Sequence, residues 1–259
     1  MTAKRIYSAP LGSGHHGVAL GGVGSGHWSH QGVPGELGGS APGDRQSGNK
    51  PKDAGTKAAD TKAEIARLAK SLHSEAVKQE PELTMTLVNV VEDLGGEMAG
   101  LTHRLKKQTS IEGKISRDVR DGGVSPADAA AGLNDTIRYT AVFDPDSFTE
   151  DVLEVQSKLE ERGWNRYDHK WKNFFSPGNS YQGYNTVMVN SDGLRFELQY
   201  HTRETLTIKE RAHDIYVTSR ELPQHSPQRA TLDAEMVSLW TVYDRPDDWE
   251  DLPGNIIIR

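Results

Sequence analysis

Cysteine is absent from the 259 residues. That excludes disulfides, thiolate zinc sites, cysteine-held iron–sulfur clusters and thiol nucleophiles, and it leaves the redox compartment undecided. Long apolar runs are missing too: nothing approaches the ~18 to 20 residues of a membrane span, and no leader-like series of basic, apolar and small residues opens the chain. The chain is therefore expected to be soluble, to need no membrane partner and to act in the cytoplasm. An excess of positive charge is also lacking. Lys and Arg total 30 against 37 Asp and Glu, a net charge of −7. The field of the whole molecule thus disfavours DNA and anionic membranes, and any nucleotide site has to be basic locally.

What is present is unevenly spread. Of the 26 glycines, 14 fall in residues 1–55, with four of the ten histidines. Large apolar residues between Ser8 and Gly55 are few, so burial there cannot offset the backbone entropy of ordering, and a disordered Gly/His-rich tail is expected. His15, His16, His27 and His30 lie in that tail, where no fixed surroundings would orient them as metal ligands. The string G-S-G-H-W-S-H-Q-G-V-P-G-E-L-G-G-S resembles glycine-rich segments of phage head-morphogenesis proteins.

From Thr56 the pattern changes. Ile65, Leu68, Ala69, Leu72 and Ala76 recur at helical spacing, Pro81 punctuates the run, and a second helix is predicted from about Glu82 to Leu94, ending at Gly95-Gly96. Strands are predicted at Thr136–Phe143, Trp164–Phe175, Thr186–Asn190 and Leu194–Thr202, the last two joined by the turn Ser191-Asp192-Gly193. Helices are predicted at Phe148–Arg162, Glu204–Arg220 and Gln228–Leu239. The order implies an α+β fold, a mixed β-sheet of about five strands flanked by helices. It also suggests four segments: the tail 1–55, N-terminal helices 56–100 packing on a catalytic domain 101–222, and a C-terminal helix and tail 223–259. In that last segment Trp240, Trp249 and Ile256–Ile258 suit covering the core, docking a partner or extending a sheet edge alike.

Three segments carry candidate chemistry. In T-H-R-L-K-K-Q-T-S-I-E-G-K (102–114), Arg104 and Lys106 share a face if extended, and Lys114 enters the first turns of a helix capped by Thr109 or Ser110. Converging cations at a helix start suit phosphate, while a solvated basic face has the same composition. In S-Y-Q-G-Y-N-T (180–186), Gly183 lets the backbone approach a ligand closely, and Tyr181 and Tyr184 offer flat faces to a base or to the core. In L-R-F-E-L-Q-Y-H-T (194–202), alternation sends Arg195, Glu197, Gln199 and His201 to one face and Phe196, Leu198 and Tyr200 to the other. Such a polar row floors a cleft or meets solvent. Lys209, Arg211 and His213 follow on the next helix and extend the cations beside the Glu197 carboxylate.

Taken together, R-L-K-K-Q-T-S-I-E-G-K, T-I-R-Y-T, N-S-Y-Q-G-Y-N-T and F-E-L-Q-Y-H-T resemble, in order and separation, the synthetase domain of RelA/SpoT-type alarmone synthetases over about Leu101–Arg220. The wording is most similar to divergent toxic members of phage and polymorphic toxin systems. The resemblance implies a pyrophosphokinase that moves the β,γ-diphosphate of ATP to a ribose 3′-hydroxyl of a purine nucleotide, giving (p)ppApp- or (p)ppGpp-like products. It implies that Arg104, Lys106 and Lys114 hold ATP phosphates beside Arg138, that Tyr181 stacks on the acceptor base, and that Asn185, Gln199 and His201 line the acceptor side. Glu197 would serve near Mg2+ and the attacking hydroxyl, with Asp135 as a second metal ligand.

Departures from the family's wording bear on these roles. Leu133 stands where the family has its metal-holding aspartate, with Asp135 two residues on, Asn185 replaces a histidine and His201 replaces an arginine. The resemblance leaves the acceptor open among adenine nucleotides, guanine nucleotides and the 3′ end of tRNA, and the net charge of −7 favours a free nucleotide. No hydrolase-like His-Asp cluster precedes the synthetase segment, so an unopposed, growth-inhibiting toxin with a neutralising antitoxin or immunity protein is expected. Two other classes fit the residues: an ADP-ribosyltransferase-type toxin, and a non-catalytic phage structural module.

Overall fold

The computed structural model describes residues 52–257 except 168, 169 and 242, with backbone alone for 52–56. The tail, with its four histidines, lies outside the described residues. Everything that follows concerns the unit Lys50–Arg259.

A 41-residue helix α1, Lys52–Glu92, runs through Pro81 without a break. The predicted interruption is thereby corrected, for a physical reason. Ile65, Ala69, Ala76, Leu83, Leu87 and Val90 form one buried stripe that keeps its phase across the proline. Pro81 and Val77 are both on the exposed side, so the carbonyl that loses its N–H partner lies towards solvent.

After α1 come β1 (Glu97–Ala99), α2 (Gln108–Gly122), α3 (Pro126–Ala131), β2 (Arg138–Phe143) and α4 (Phe148–Glu160). Then follow β3 (Asn165–Arg166), β4 (Lys172–Asn173), β5 (Tyr184–Val189), β6 (Arg195–Thr202), α5 (Arg203–Glu221), α6 (Pro227–Leu239) and β7 (Asn255–Ile256). The fold is α+β, with a mixed sheet of seven strands in the order β1-β2-β6-β5-β4-β7, β3 pairing beside β4 on β5. Only β2–β6 and β4–β7 are parallel. The sheet exceeds the expected five strands because β1 and β7 are too short to show a period. The aromatic strand expected at 164–175 is split into β3 and β4. Asn165 pairs with Val189 and Lys172 with Asn185, so seven steps on one strand face four on the other, and three residues in excess leave the ladder.

Alternation divides β2, β5 and β6 between two faces. Tyr139, Ala141, Phe143, Phe196, Leu198, Tyr200, Tyr184 and Met188 enter the main core with Leu83, Leu87, Val90 and Val91 of α1 and Phe148, Val152 and Val155 of α4. A second cluster joins Ile65 and Ala69 of α1 to Ile111 and Ile115 of α2 and to α3. The sheet face away from the main core carries the polar row. Of the C-terminal segment, Trp240 is buried with Ile208 and Tyr243, Trp249 lies against Phe175, and Ile256 extends the sheet edge in β7.

Candidate functional site

Register assembles the site from segments distant in sequence. In the parallel pair, Arg138 stands opposite Glu197 and Thr140 opposite Gln199, and on the other side of β6 Asn185 stands opposite Gln199. The Leu105–Ile137 bridge, with Lys106 N–H donating to Thr136 at 3.0 Å and Arg138 N–H to Arg104 at 2.8 Å, lays residues 104–106 along 136–138. A cleft of about 50 Å³ results, lined by His103, Arg104, Lys106, Asp135 and Arg138. Arg104 and Lys106 share it, as alternation predicts.

Within the cleft the charges are partnered. Asp135 accepts Lys106 Nζ at 2.6 Å and Lys114 Nζ at 2.9 Å. Burial pushes its carboxyl up, but the hydrogen bond from Lys106 and the charges of both lysines hold it below the usual carboxylate range. Burial likewise draws Lys106 down, against the pull of Asp135. Arg104 donates its Nε–H to Glu80, a residue of α1 only 5 % exposed, which also accepts the Thr84 hydroxyl. Arg138, in contrast, is exposed and makes no ion pair among the described residues.

Helix α2 begins two or three residues before its predicted caps. Lys107 takes the N-cap position without a side-chain bond, and Thr109 and Ser110 lie inside the first turn. The reason is that residues 104–106 are held to 136–138, so the helix starts as soon as that pairing ends.

Beyond Arg138 the floor turns neutral. Glu197 Oε1 accepts from Asn185 Nδ2 at 3.3 Å and from Gln199 Nε2 at 3.2 Å, and Glu197 makes no ion pair among the described residues. Tyr181 donates its hydroxyl to Asn185 Oδ1 at 2.7 Å and lies 3.0 Å from His201 Nε2. His201, fully buried, meets the Thr205 hydroxyl at 3.1 Å through Nδ1. Burial, then the charge of Lys209, holds His201 well below its ordinary value, so it is neutral at pH 7. Lys209 on α5 donates to Gln199 Oε1 at 2.7 Å, and burial, then Arg138, brings it down to about 8.

The fold therefore brings Arg104, Lys106, Lys114, Asp135, Arg138, Tyr181, Asn185, Glu197, Gln199 and His201 together, in a cleft lined by cations and a partly buried hydrogen-bonded row beside it. Several readings need correction. Gly183 makes room for side chains of this protein, since a Cβ there would stand 2.6 Å from His201 Cε1 and 2.9 Å from the Tyr181 hydroxyl. Tyr184 is a core residue that donates to the Pro253 carbonyl at 2.7 Å, and offers no face to a ligand. Arg195 turns away to Asn134 at 2.8 Å and to the Ala131 carbonyl. Arg211 is exposed, two positions from Lys209 and hence on the other side of α5, so Lys209 alone of the two joins the site. Glu80, His103 and Trp240 are residues the sequence did not single out for the site. Trp240 lies edge-on to Tyr181 and donates to the Ser180 carbonyl at 3.0 Å.

As a metal donor set the site is limited to hard oxygen. No group of three or more His, Asp or Glu gathers among the described residues. Asp135 and Glu197 are hard carboxylate donors of the kind magnesium takes, and both Asp135 oxygens are engaged by Lys106 and Lys114. No helix among the described residues is long and apolar enough to cross a membrane.

No protein-family model and no curated protein matches the chain. Solved structures do. The Type VI effector Tas1, crystallised with its immunity protein, matches at 16% identity and TM-score 0.44 over 66% of this chain and 93% of that one. Small alarmone synthetase 1 from Bacillus subtilis matches at 14% identity and TM-score 0.44 over 66% and 85%. A GTP pyrophosphokinase family protein from Streptococcus pneumoniae matches at 13% identity and TM-score 0.39 over 73% and 88%.

Proposed function

We propose that the chain is a nucleotide pyrophosphokinase that transfers the β,γ-diphosphate of ATP to the 3′-hydroxyl of a purine nucleotide, and that it inhibits growth unless a neutralising immunity protein is bound. The observation that carries this reading is the junction at Arg138. On one side stand Arg104, Lys106 and Lys114, cations suited to a polyphosphate. On the other stands Glu197, a carboxylate held by two neutral amides and, among the described residues, paired with no cation.

In the reaction the acceptor's 3′-oxygen attacks the β-phosphorus of ATP. A bond forms between that oxygen and the β-phosphorus, the bond from the β-phosphorus to the α,β-bridging oxygen breaks, and AMP departs with the bridging oxygen. Glu197 takes the hydroxyl proton. Arg104, Lys106, Lys114 and Arg138 balance charge on the phosphates, which is most of what phosphoryl-type transfer asks of a protein. Asp135 and Glu197 would hold magnesium, which when bound would supply positive charge against the phosphates. Tyr181, Asn185 and Gln199 form the acceptor side, with His201 behind Tyr181.

The test uses γ-labelled ATP and magnesium with AMP, ADP, ATP, GDP, GTP or deacylated tRNA, comparing the wild-type chain with Glu197→Gln. Label on one acceptor, absent with the variant, is expected, and expression should slow growth in the wild type alone. Label that never leaves ATP overturns the reading, and labelled NAD then tests for ADP-ribosyl transfer.

A further inference from the structure

We propose that Lys209 is a positioning residue of this site. By donating to Oε1 of Gln199 it fixes which end of that amide faces Glu197, and so which carboxylate oxygen is left for the substrate. The inference deepens the pyrophosphokinase reading and rests on it.

An ammonium has three donors and no acceptor, so only the carbonyl end of Gln199 can meet it. The 2.7 Å contact from Lys209 Nζ to Gln199 Oε1 therefore sends Nε2 to Glu197 Oε1 at 3.2 Å. A reversed amide would set N–H against ammonium and carbonyl against carboxylate, two repulsive contacts. Asn185, on the neighbouring strand β5, is fixed by the same logic. The Tyr181 hydroxyl donates to its Oδ1 at 2.7 Å, leaving Nδ2 to reach the same Glu197 oxygen at 3.3 Å.

Two amides, each keyed by a donor at its far end, thus converge on Oε1. Among the described residues no hydrogen bond engages Oε2, the oxygen left to accept a proton. Gln199 is 7 % exposed, so water does not substitute readily for the Lys209 contact. Lys209 also lies within the influence of the Arg138, Glu197 and Glu210 charges, and makes no ion pair among the described residues.

The experiment compares wild type, Lys209→Met, Lys209→Arg, Gln199→Leu and the Lys209→Met/Gln199→Leu double variant in the labelled-ATP assay. The 1H–15N spectrum of each folded protein is recorded, with the Gln199 amide assigned by its loss in Gln199→Leu. Lys209→Met should lower kcat about tenfold or more with KM for ATP changed less than about twofold, and Lys209→Arg should restore most of it. The double variant should be no slower than Gln199→Leu alone. The Gln199 amide pair should exchange slowly in wild type and lose protection in Lys209→Met. An unchanged kcat in Lys209→Met, independent effects that multiply in the double variant, or a Gln199 amide indifferent to Lys209 each overturn the proposal. Should wild type label no acceptor, the pyrophosphokinase reading fails, and the amide spectrum still decides whether Lys209 orients Gln199.

Discussion

Glu80, in the last third of α1, accepts the Nε–H of Arg104, so the N-terminal helix reaches into the phosphate-binding candidate and holds its guanidinium. The hydrogen bond from Arg104 outweighs burial and holds the Glu80 carboxyl below the usual carboxylate range. A carboxylate lowered on folding contributes stability above its unfolded value, near 4.3, and loses it as pH falls through the lower folded value. Glu80→Gln should therefore cost about 1–3 kcal/mol at pH 7. Thermal melts should show the gap to wild type closing below about pH 4.

Asp135 neutralises two lysines that the proposed reaction needs for phosphate. Asp135→Asn should free Lys106 and Lys114, so that calorimetry with inorganic triphosphate and no metal shows tighter binding, by about 1 kcal/mol or fivefold. Magnesium-dependent transfer should fall in the same variant. Weaker triphosphate binding would show that Asp135 organises the lysines instead of competing for them.

Gly183→Ala places a methyl group 2.6 Å from a fully buried histidine ring and 2.9 Å from the Tyr181 hydroxyl. Overpacking of this kind costs about 1–3 kcal/mol. Melting temperature should drop, and KM for the acceptor should rise more than KM for ATP, because the displaced pair belongs to the acceptor side.

Trp240 is 2 % exposed and joins Tyr181 to the C-terminal helix. Trp240→Ala should destabilise by about 3–5 kcal/mol. Near-ultraviolet circular dichroism should show a loosened aromatic cluster around Tyr181 while the β-sheet signal persists.

The strand alternation in L-R-F-E-L-Q-Y-H-T was legible because period two is a local property, and β6 keeps it from Arg195 to Thr202. Its partner was not: the parallel pairing that sets Arg138 beside Glu197 joins strands separated by a helix and three further strands, and no local signal records it. Pro81 misled because a residue's own preference was weighed against the stripe from Ile65 to Val90, whose unbroken phase was the better signal. Glu80 reads in sequence as one more surface charge. Its burial depends on Arg104, which lies in an irregular segment. Gly183 reads in sequence as a place where backbone meets a ligand; the atoms that crowd it are the protein's own His201 and Tyr181, brought there by the β5–β6 register.

Thr202 closes β6 and also caps α5, its hydroxyl accepting the Thr205 N–H at 3.2 Å while the Thr205 hydroxyl accepts the Thr202 N–H at 2.9 Å. No hinge separates the two elements. Glu197, Gln199 and Lys209 consequently ride on one stiff lever, whose parts cannot adjust to a substrate independently. Any adaptation to different acceptors falls to Tyr181, on the segment before β5, so a change of acceptor is sought there, and a change in rate on the lever.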